Sequence, residues 1–528
     1  MHRTELIAAL RFFQNNAVEF RRGVIRRARV CVALFTGLLA SSVFALPTTL
    51  DTTFGSGLGK VSTSVFGTNN NAGSIVLQPD GKIVLVGGCQ SGSSGIFCAA
   101  RYNADGSLDT SFNATGKVFF GITSVNDSAN GAALQPDGKI LMAGRCTPAS
   151  GIGNFCVARL LSTGALDSTF GTNGHVNTAV NAGNESGAYA IALQPDGKIV
   201  LAGNCTIAGV SSFCAVRYLS DGTFDTTFAT GGRASTQFVA GADTYADSVA
   251  IQPDGRIVLS GVCKPSTSIT VVRLCVARFT SAGALDSTFA SVGKYLGYQT
   301  QSVGNSTRAL VQPDGRLLIA ATCTVTNPDA TVSGALCAFR LTAGGVADTT
   351  FGSGGLVATS AFYIFRGSFD AALQPDGKIL IGGYARPNNT DAFGAARLNS
   401  DGSFDTSFSA TGTVTTTVSG SNDRGQAIAL QPDGKILLAG SCNVAPNGDF
   451  CMLRFEGGPL SYQACSLDID GDGQVLATTD SLIHARIALG ITGNAVIGGI
   501  TFPATAKRTT WAAIRAYLIT QCGMSLVQ

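Results

Sequence analysis

One heptapeptide, Leu-Gln-Pro-Asp-Gly-Lys-Ile, recurs seven times with small changes, and it limits what this chain can fold into more than any other feature. Its glutamine stands at Gln78, Gln135, Gln194, Gln252, Gln312, Gln374 and Gln431, so successive copies lie 57, 59, 58, 60, 62 and 57 residues apart. A period this regular marks a propeller or a solenoid, in which each unit buries its apolar face against its neighbours. In the third unit, residues 188–193 alternate small and apolar side chains, the pattern of a strand. Pro195-Asp196-Gly197 is a tight turn, with proline fixing φ and glycine allowing φ > 0. Residues 198–202 form a second strand, a Cys-flanked loop leads to a third at 213–218, and Asp221-Gly222 opens a longer turn to a weaker fourth. Four antiparallel strands make one propeller blade.

The seventh unit lacks the Leu-Asp-x-x-Phe segment that follows every other third strand. The missing piece stands near the start of the chain, as Leu50-Asp51-Thr52-Thr53-Phe54. A strand around 60–64 is therefore expected to complete the last blade and close the ring, which removes the edges an open array leaves. The expected fold is all-β: a seven-bladed β-propeller of four-stranded blades over residues 46–458, followed by a small, mainly α module at 459–528. A linear solenoid is the alternative, but it needs terminal caps that the sequence does not show.

The seven Leu/Ile/Val-Gln-Pro-Asp-Gly-Lys/Arg turns and seven Leu/Phe/Ala-Asp-x-x-Phe segments resemble the delta-60 repeat family of exported bacterial proteins. The resemblance covers residues 50–455 and implies a propeller and export.

Residues 1–45 read as a signal peptide. Arg21, Arg22, Arg26, Arg27 and Arg29 precede an apolar stretch at 30–39, and Val43-Phe44-Ala45 resembles an A-x-A cleavage site. A membrane anchor is the rival reading, but the apolar run is short for a spanning helix. Removing seven Lys/Arg and two Asp/Glu with that segment turns the formal charge from +3 to about −2, which gives no support to nucleic-acid binding. No stable membrane span is expected after processing. The product is expected to be a secreted, periplasmic or cell-surface bacterial protein, and a monomer.

Fourteen of the fifteen cysteines remain after processing. Twelve form close pairs: Cys89 with Cys98, Cys146 with Cys156, Cys205 with Cys214, Cys263 with Cys275, Cys323 with Cys337, and Cys442 with Cys451. In an exported chain these read as disulfides, with Cys465 and Cys522 as the last pair. Zinc is the weaker reading, because the spacing is wide and only His175 and His484 survive processing.

The repeats also separate scaffold from site. Arg101, Arg159, Arg217, Arg278, Arg340, Arg397 and Arg454 recur in every unit, as do Asp51, Asp109, Asp167, Asp225, Asp286, Asp348 and Asp405. A buried charge needs a partner, so these predict a structural Arg–Asp pair. Few other acids and one histidine are left on the propeller, and no Ser-His-Asp order, metal cluster or phosphate loop stands out. The Cys hairpins vary in length and sequence, which marks their end of the ring as a binding face. Blade six departs from the pattern: Tyr384 and Gly394 are read as replacing its cysteines. The aromatic connector Phe362, Tyr363, Phe365 and Arg366 just before it forms, with Tyr384, a candidate ligand patch.

Past Pro459 the repeat stops. Asp468, Asp470 and Asp472, the Gln474 carbonyl and Asp480 have the spacing of a calcium loop with one extra residue, resembling a dockerin or EF-hand-like loop. Calcium is the expected cofactor, and helices are expected at 480–489 and about 509–520. The expected function is that of an exported, non-enzymatic interaction protein for a protein or glycan ligand. The alternatives are a secreted propeller hydrolase or lyase acting on polysaccharide, and a structural envelope component.

Overall fold

The computed structural model describes residues 46–458, apart from 124, 265–271, 298–302, 327–331, 360–369, 388–389, 421 and 445–446; beyond them it describes 469–470, 479–488, 493–503 and 505–520. Residues 1–45 lie outside the described set, and with them the expected signal peptide. Among the described residues there are seven four-stranded antiparallel sheets. Blade three shows the plan, with strands Ser186–Leu193, Ile199–Ile207, Val210–Tyr218 and Arg233–Thr236 side by side in chain order. Each strand extends a little beyond the run that alternation alone defines, because hydrogen bonding continues into the Cys hairpin, from Ile199↔Tyr218 out to Ile207↔Val210.

The first strand of each blade touches the first strands on either side, and that of blade seven (Arg424–Leu430) touches that of blade one (Thr68–Leu77). First strands therefore line the axis, and the ring is closed. The closing piece is the N-terminal strand Lys60–Thr63, which pairs antiparallel with Asn447–Phe455 from Lys60↔Leu453 to Thr63↔Phe450. Asp51 N–H donates to the Arg454 carbonyl at 2.9 Å and Glu456 N–H to that of Thr49 at 2.9 Å, extending the join. Tight turns and Asp-Gly turns fall at one end of the ring. The Cys hairpins and the connectors between blades fall at the other.

Apolar cores lie between blades. Leu141, Phe155 and Val157 of blade two pack against Leu201, Val216 and Tyr218 of blade three, all fully buried. Burial of each such side chain contributes roughly 1.5–3 kcal/mol. All six close cysteine pairs form the expected disulfides. Cys89 is bonded to Cys98, Cys146 to Cys156 and Cys205 to Cys214. Cys263 is bonded to Cys275, Cys323 to Cys337 and Cys442 to Cys451. Each bond staples a second strand to a third, at Cα–Cα 5.7–5.9 Å.

The register corrects one assignment in blade six. There Gly383 pairs with Gly394 and Ala385 with Ala392, while in blade one Gly87 pairs with Cys98 and Cys89 with Ile96. The residues standing at the cysteine positions are thus Ala385 and Gly394. Tyr384 is one residue off, on the opposite face of its strand. Its hairpin is held by ions instead: Asp391, almost fully buried, accepts from Arg386 Nε at 2.8 Å and from Arg424 Nε of blade seven at 3.0 Å.

In the C-terminal part, helix α1 (Asp480–Ala488) and helix α2 (Trp511–Thr520) share a small apolar cluster of Ile469, Ile483, Val496, Trp511, Ile514 and Leu518. Thr510 Oγ1 accepts the Ala513 amide at 3.3 Å, a cap that starts α2 slightly later than the sequence suggests. No helix among the described residues is long and apolar enough to cross a membrane.

Candidate functional site

The repeated charges are scaffold. In all seven units the Arg Nε donates to the Asp Oδ2 at 2.6–2.8 Å. The guanidinium lies over the Phe of the same Leu/Phe/Ala-Asp-x-x-Phe segment, 4.3–4.7 Å from the ring centroid. Its Nη1 donates to a carbonyl of the next blade, for example Arg159 to Ser220 at 2.5 Å, and Arg454 to Ala104 across the closure at 2.5 Å. The same Phe abuts the next blade's Asp-Gly turn. At Gly106, φ is +84° and a Cβ would lie 2.7 Å from the Phe54 ring, so only glycine fits. One Arg-Asp-Phe triplet therefore ties each sheet to its successor. Burial alone would raise the Asp109 and Asp167 carboxyls, but hydrogen bonds from Ser111 and Thr169, with the charges of Arg101 and Arg159, lower both to about 2.

Most of the remaining propeller carboxylates also have structural partners. Asp105, Asp221 and Asp401 accept backbone amides two residues on, within their turns. Asp127 and Asp423 organise connectors by accepting the amides of Ile122 and Thr123, and of Val418 and Ser419. Glu185 accepts from the Gly153 amide at 3.2 Å and Asp243 from that of Ser211 at 3.1 Å, each clasping the preceding blade's hairpin. Asp370 pairs with Arg308 at 2.8 Å, and Asp449 accepts from Ser62 at 2.8 Å. Asp247 differs from all of these. Its Oδ2 is withdrawn from solvent and has no hydrogen-bond partner among the described residues.

The backbone explains where Asp247 stands. The first strand of blade four breaks register between Ala246 and Ser248, leaving Asp247 as a β-bulge. The same break puts Gly73, Asn130, Tyr189 and Gln426 at bulges in blades one, two, three and seven. Opposite each break stands a glycine: Gly87, Gly144, Gly203, Gly261 or Gly440. A Cβ there would lie 1.8–1.9 Å from the carbonyl oxygen of the bulged strand. Blade five has Ala321 at this position; its ladder is regular from Thr307 to Val311, and its register break falls earlier, between Val303 and Thr307. Bulges re-aim a side chain, and here they reach toward the first strand of the next blade. Asn130 Nδ2 donates to the Ala188 carbonyl at 2.8 Å, and Gln426 donates to Asn71 Oδ1. Asp247 accepts a backbone hydrogen bond from Thr307. Within near-identical blades, this axial position carries a different residue each time.

Around Asp247 the departures from symmetry cluster. The Tyr189 phenol, raised above its ordinary value chiefly by burial, lies within electrostatic range of Arg145, Asp247, Glu185 and Tyr245. Tyr189 is nevertheless 40% exposed. Asn204, paired in register with Gly187, has an Oδ1 withdrawn from solvent with no partner among the described residues, as does Arg145 Nε. Arg145 Nη2 donates to Glu185 at 2.8 Å, and Lys264 Nζ lies 5.5 Å from the Tyr245 ring centroid. Desolvation by burial holds the Asp247 carboxyl well above its usual range, against the lowering effect of the Thr307 amide. An unsatisfied buried acceptor costs about 1–3 kcal/mol, so Asp247 near the exposed Tyr189, and Asn204 on the neighbouring strand of blade three, are groups that a ligand can complete. Glu185 and Arg145 flank Cys146 and the blade-two hairpin, so the cluster lies toward the hairpin end of the axis.

The sequence-based ligand patch is only partly in view. Phe362, Tyr363, Phe365 and Arg366 lie outside the described residues; Tyr384 is half-buried, with Arg424 5.9 Å from its ring centroid. Of the calcium-loop residues, Asp468, Asp472 and Gln474 lie outside the described set, as do Cys465 and Cys522. Asp470 and Asp480 are buried and adjacent: Asp480 Oδ1 accepts the amides of Ile469 at 2.6 Å and Asp470 at 3.0 Å, so it closes the loop's two ends together. Sequence reasoning missed Arg145, Tyr189, Asn204, Tyr245 and Asp247. For Tyr189 and Asp247 the signal is the comparison of repeats one residue at a time: the position five before each repeat's glutamine varies between small neighbours.

Comparison with known proteins assigns no activity to the chain. No curated protein sequence matches it. Among solved structures, the chain is similar to the polysaccharide lyase Uly1 at TM-score 0.40 and 11% identity, covering 76% of this chain and 92% of that one. It is similar to an alpha-L-arabinanase of Penicillium chrysogenum at TM-score 0.38 and 10% identity, covering 61% and 92%. It is also similar to Sqt1 from Chaetomium thermophilum at TM-score 0.33 and 10% identity, covering 74% and 98%. Residues 78–112, 135–170, 194–228, 252–289, 374–408 and 431–457 match the sequence profile described as "Domain of unknown function (DUF5122) beta-propeller".

Proposed function

We propose that this chain is an exported, non-enzymatic binding protein that engages a protein or glycan at the hairpin end of its ring. One observation carries the reading: the axial bulge position differs from blade to blade while the residues around it repeat, and it gathers unsatisfied polar groups beside an exposed tyrosine. A scaffold has no need of such asymmetry. Six disulfides support export, since such bonds persist in oxidising compartments. N-terminal sequencing of the exported protein should begin at Leu46. The test of binding is to present purified protein from residue 46 onward to glycan and surface-protein arrays, with product analysis on the same polysaccharides. Retention without product supports binding.

A second reading, a secreted polysaccharide hydrolase or lyase, draws on Asp247, its carboxyl raised by burial, and Glu185 both lying within electrostatic range of Tyr189, because acid–base catalysis needs carboxyls held in different states. Glu185 is already engaged by Gly153 and Arg145, which places binding first. Release of shortened chains would reverse that order.

The C-terminal module is proposed to hold calcium through Asp468, Asp470, Asp472, the Gln474 carbonyl and Asp480. The burial of Asp470, whose amide donates to Asp480 Oδ1 at 3.0 Å, supports this by bringing the two ends of the loop together. Calcium titration calorimetry should show binding that disappears in Asp470→Ala; no heat in the unaltered protein would remove the site.

A further inference from the structure

We propose that Tyr189, Asn204, Tyr245 and Asp247 form a binding site for a neutral glycosyl residue at the hairpin end of the axis. The proposal rests on the reading of that end as the binding face and goes further by naming the ligand class.

Three observations point to a sugar. Asn204 Oδ1 and Asp247 Oδ2 are withdrawn from solvent and lack donors among the described residues, while Arg145 Nε lacks an acceptor. Neighbouring hydroxyls on a sugar ring each donate and accept, so a glycan can supply both kinds of missing partner. Tyr189, within electrostatic range of Arg145 and Asp247, is 40% exposed, and Tyr245 is partly open. A tyrosine ring offers an apolar face with a polar tip, which suits the C–H face and hydroxyl rim of a pyranose or furanose.

Charge then excludes the main rivals. Arg145 is paired with Glu185 at 2.8 Å and Lys264 with Asp243 at 3.9 Å. Desolvation, which raises the Asp247 carboxyl above its usual range, disfavours its anion. The named cations, Arg145 and Lys264, are thus already paired, which disfavours a phosphate, sulfate or uronate, and their partners Glu185 and Asp243 are paired too, which disfavours an amine. The site is also rigid, because its side chains project from paired strands rather than loops, and Gly187 lets the Arg145 stem pack directly across the first strand of blade three. Such preorganisation favours a small, stiff ligand over a peptide that must be ordered on binding.

The experiment is titration calorimetry of the protein from residue 46 onward with neutral gluco-, xylo-, arabino-, manno- and galacto-oligosaccharides and with uronate and sulfated oligosaccharides. At least one neutral series should bind and the charged ones should not. Tyr189→Ala and Asn204→Ala should each raise its Kd at least tenfold. Asp247→Ala, which removes the second unsatisfied acceptor, should do the same. Far-UV circular dichroism and melting curves show whether each variant is folded. Neutral-sugar binding left unchanged by Tyr189→Ala and Asn204→Ala overturns the proposal, as does binding of charged oligosaccharides alone. A protein ligand held at the hairpin end, with no oligosaccharide bound, overturns the sugar assignment and leaves the binding face standing. A ligand insensitive to every hairpin-end substitution removes both.

Discussion

The seven Arg-Asp-Phe triplets and Asp247 put opposite demands on single residues. In each triplet the carboxylate is favoured, and the guanidinium is buried against an aromatic face. Replacing Arg217 by Met leaves Asp225 buried without a cationic partner, which should cost about 3–5 kcal/mol in urea denaturation. Arg145→Met, at an exposed pair, should cost under about 1 kcal/mol. Because the triplet carboxyls are lowered in the fold, with Asp109, Asp167 and Asp286 at about 2, their stabilisation is full above pH 4 and is lost as pH falls from about 4 to 2. Melting temperature should fall steeply across that window. Asp247 works the other way. Its carboxyl is raised in the fold, so the folded state binds the extra proton, and stability declines as pH rises from the ordinary carboxylate value of 3.8 through the raised one. Asp247→Asn removes the titration, so its melting temperature should exceed that of the unaltered protein by an amount that grows with pH. A difference that is flat with pH would show that Asp247 is not held protonated.

Among the elements, blade six offers the cleanest comparison, since it has the same ladder without the disulfide. Ala385 and Gly394 stand where the other blades have cysteines, so Ala385→Cys with Gly394→Cys should form a seventh bond and stabilise by about 2–3 kcal/mol, lost on reduction. Mass spectrometry for the bond and denaturation with and without reductant check this. The strands themselves were legible in the sequence, because alternation, Pro-Asp-Gly turns and paired cysteines each repeat and each has one local cause. The disulfide partners, such as Cys263 with Cys275 and Cys323 with Cys337, were legible for the same reason. The bulges were not, because a bulge follows from how two strands meet: its mark is a glycine on the opposite strand, some fifteen residues away, whose missing Cβ makes room for a carbonyl. Gly203 therefore states why Tyr189 is turned toward the axis, although nothing near Tyr189 does. Tyr384 was misplaced by one residue for a related reason, since hairpin length varies and only the register counts from the paired end.

At the scale of the molecule, the ring is held by seven similar seams, and one of them joins residues some 390 positions apart. Deleting residues 46–63 removes that seam. It takes Asp51 from Arg454 and Phe54 from beneath it, and it bares the strand Asn447–Phe455 along one edge. The truncated protein should lose its single cooperative melt and associate through the bared edge, as size-exclusion chromatography and calorimetry would show. The same join sets the timetable of maturation. Each hairpin disulfide spans nine to fourteen residues and can form as soon as its own hairpin emerges, whereas Val61 must wait for Met452. Covalent locking is thus an early, local event and circular completion a late, long-range one. For most of its emergence the chain is a row of stapled sheets waiting for its final strand, and this interval is when it most needs protection from its own kind.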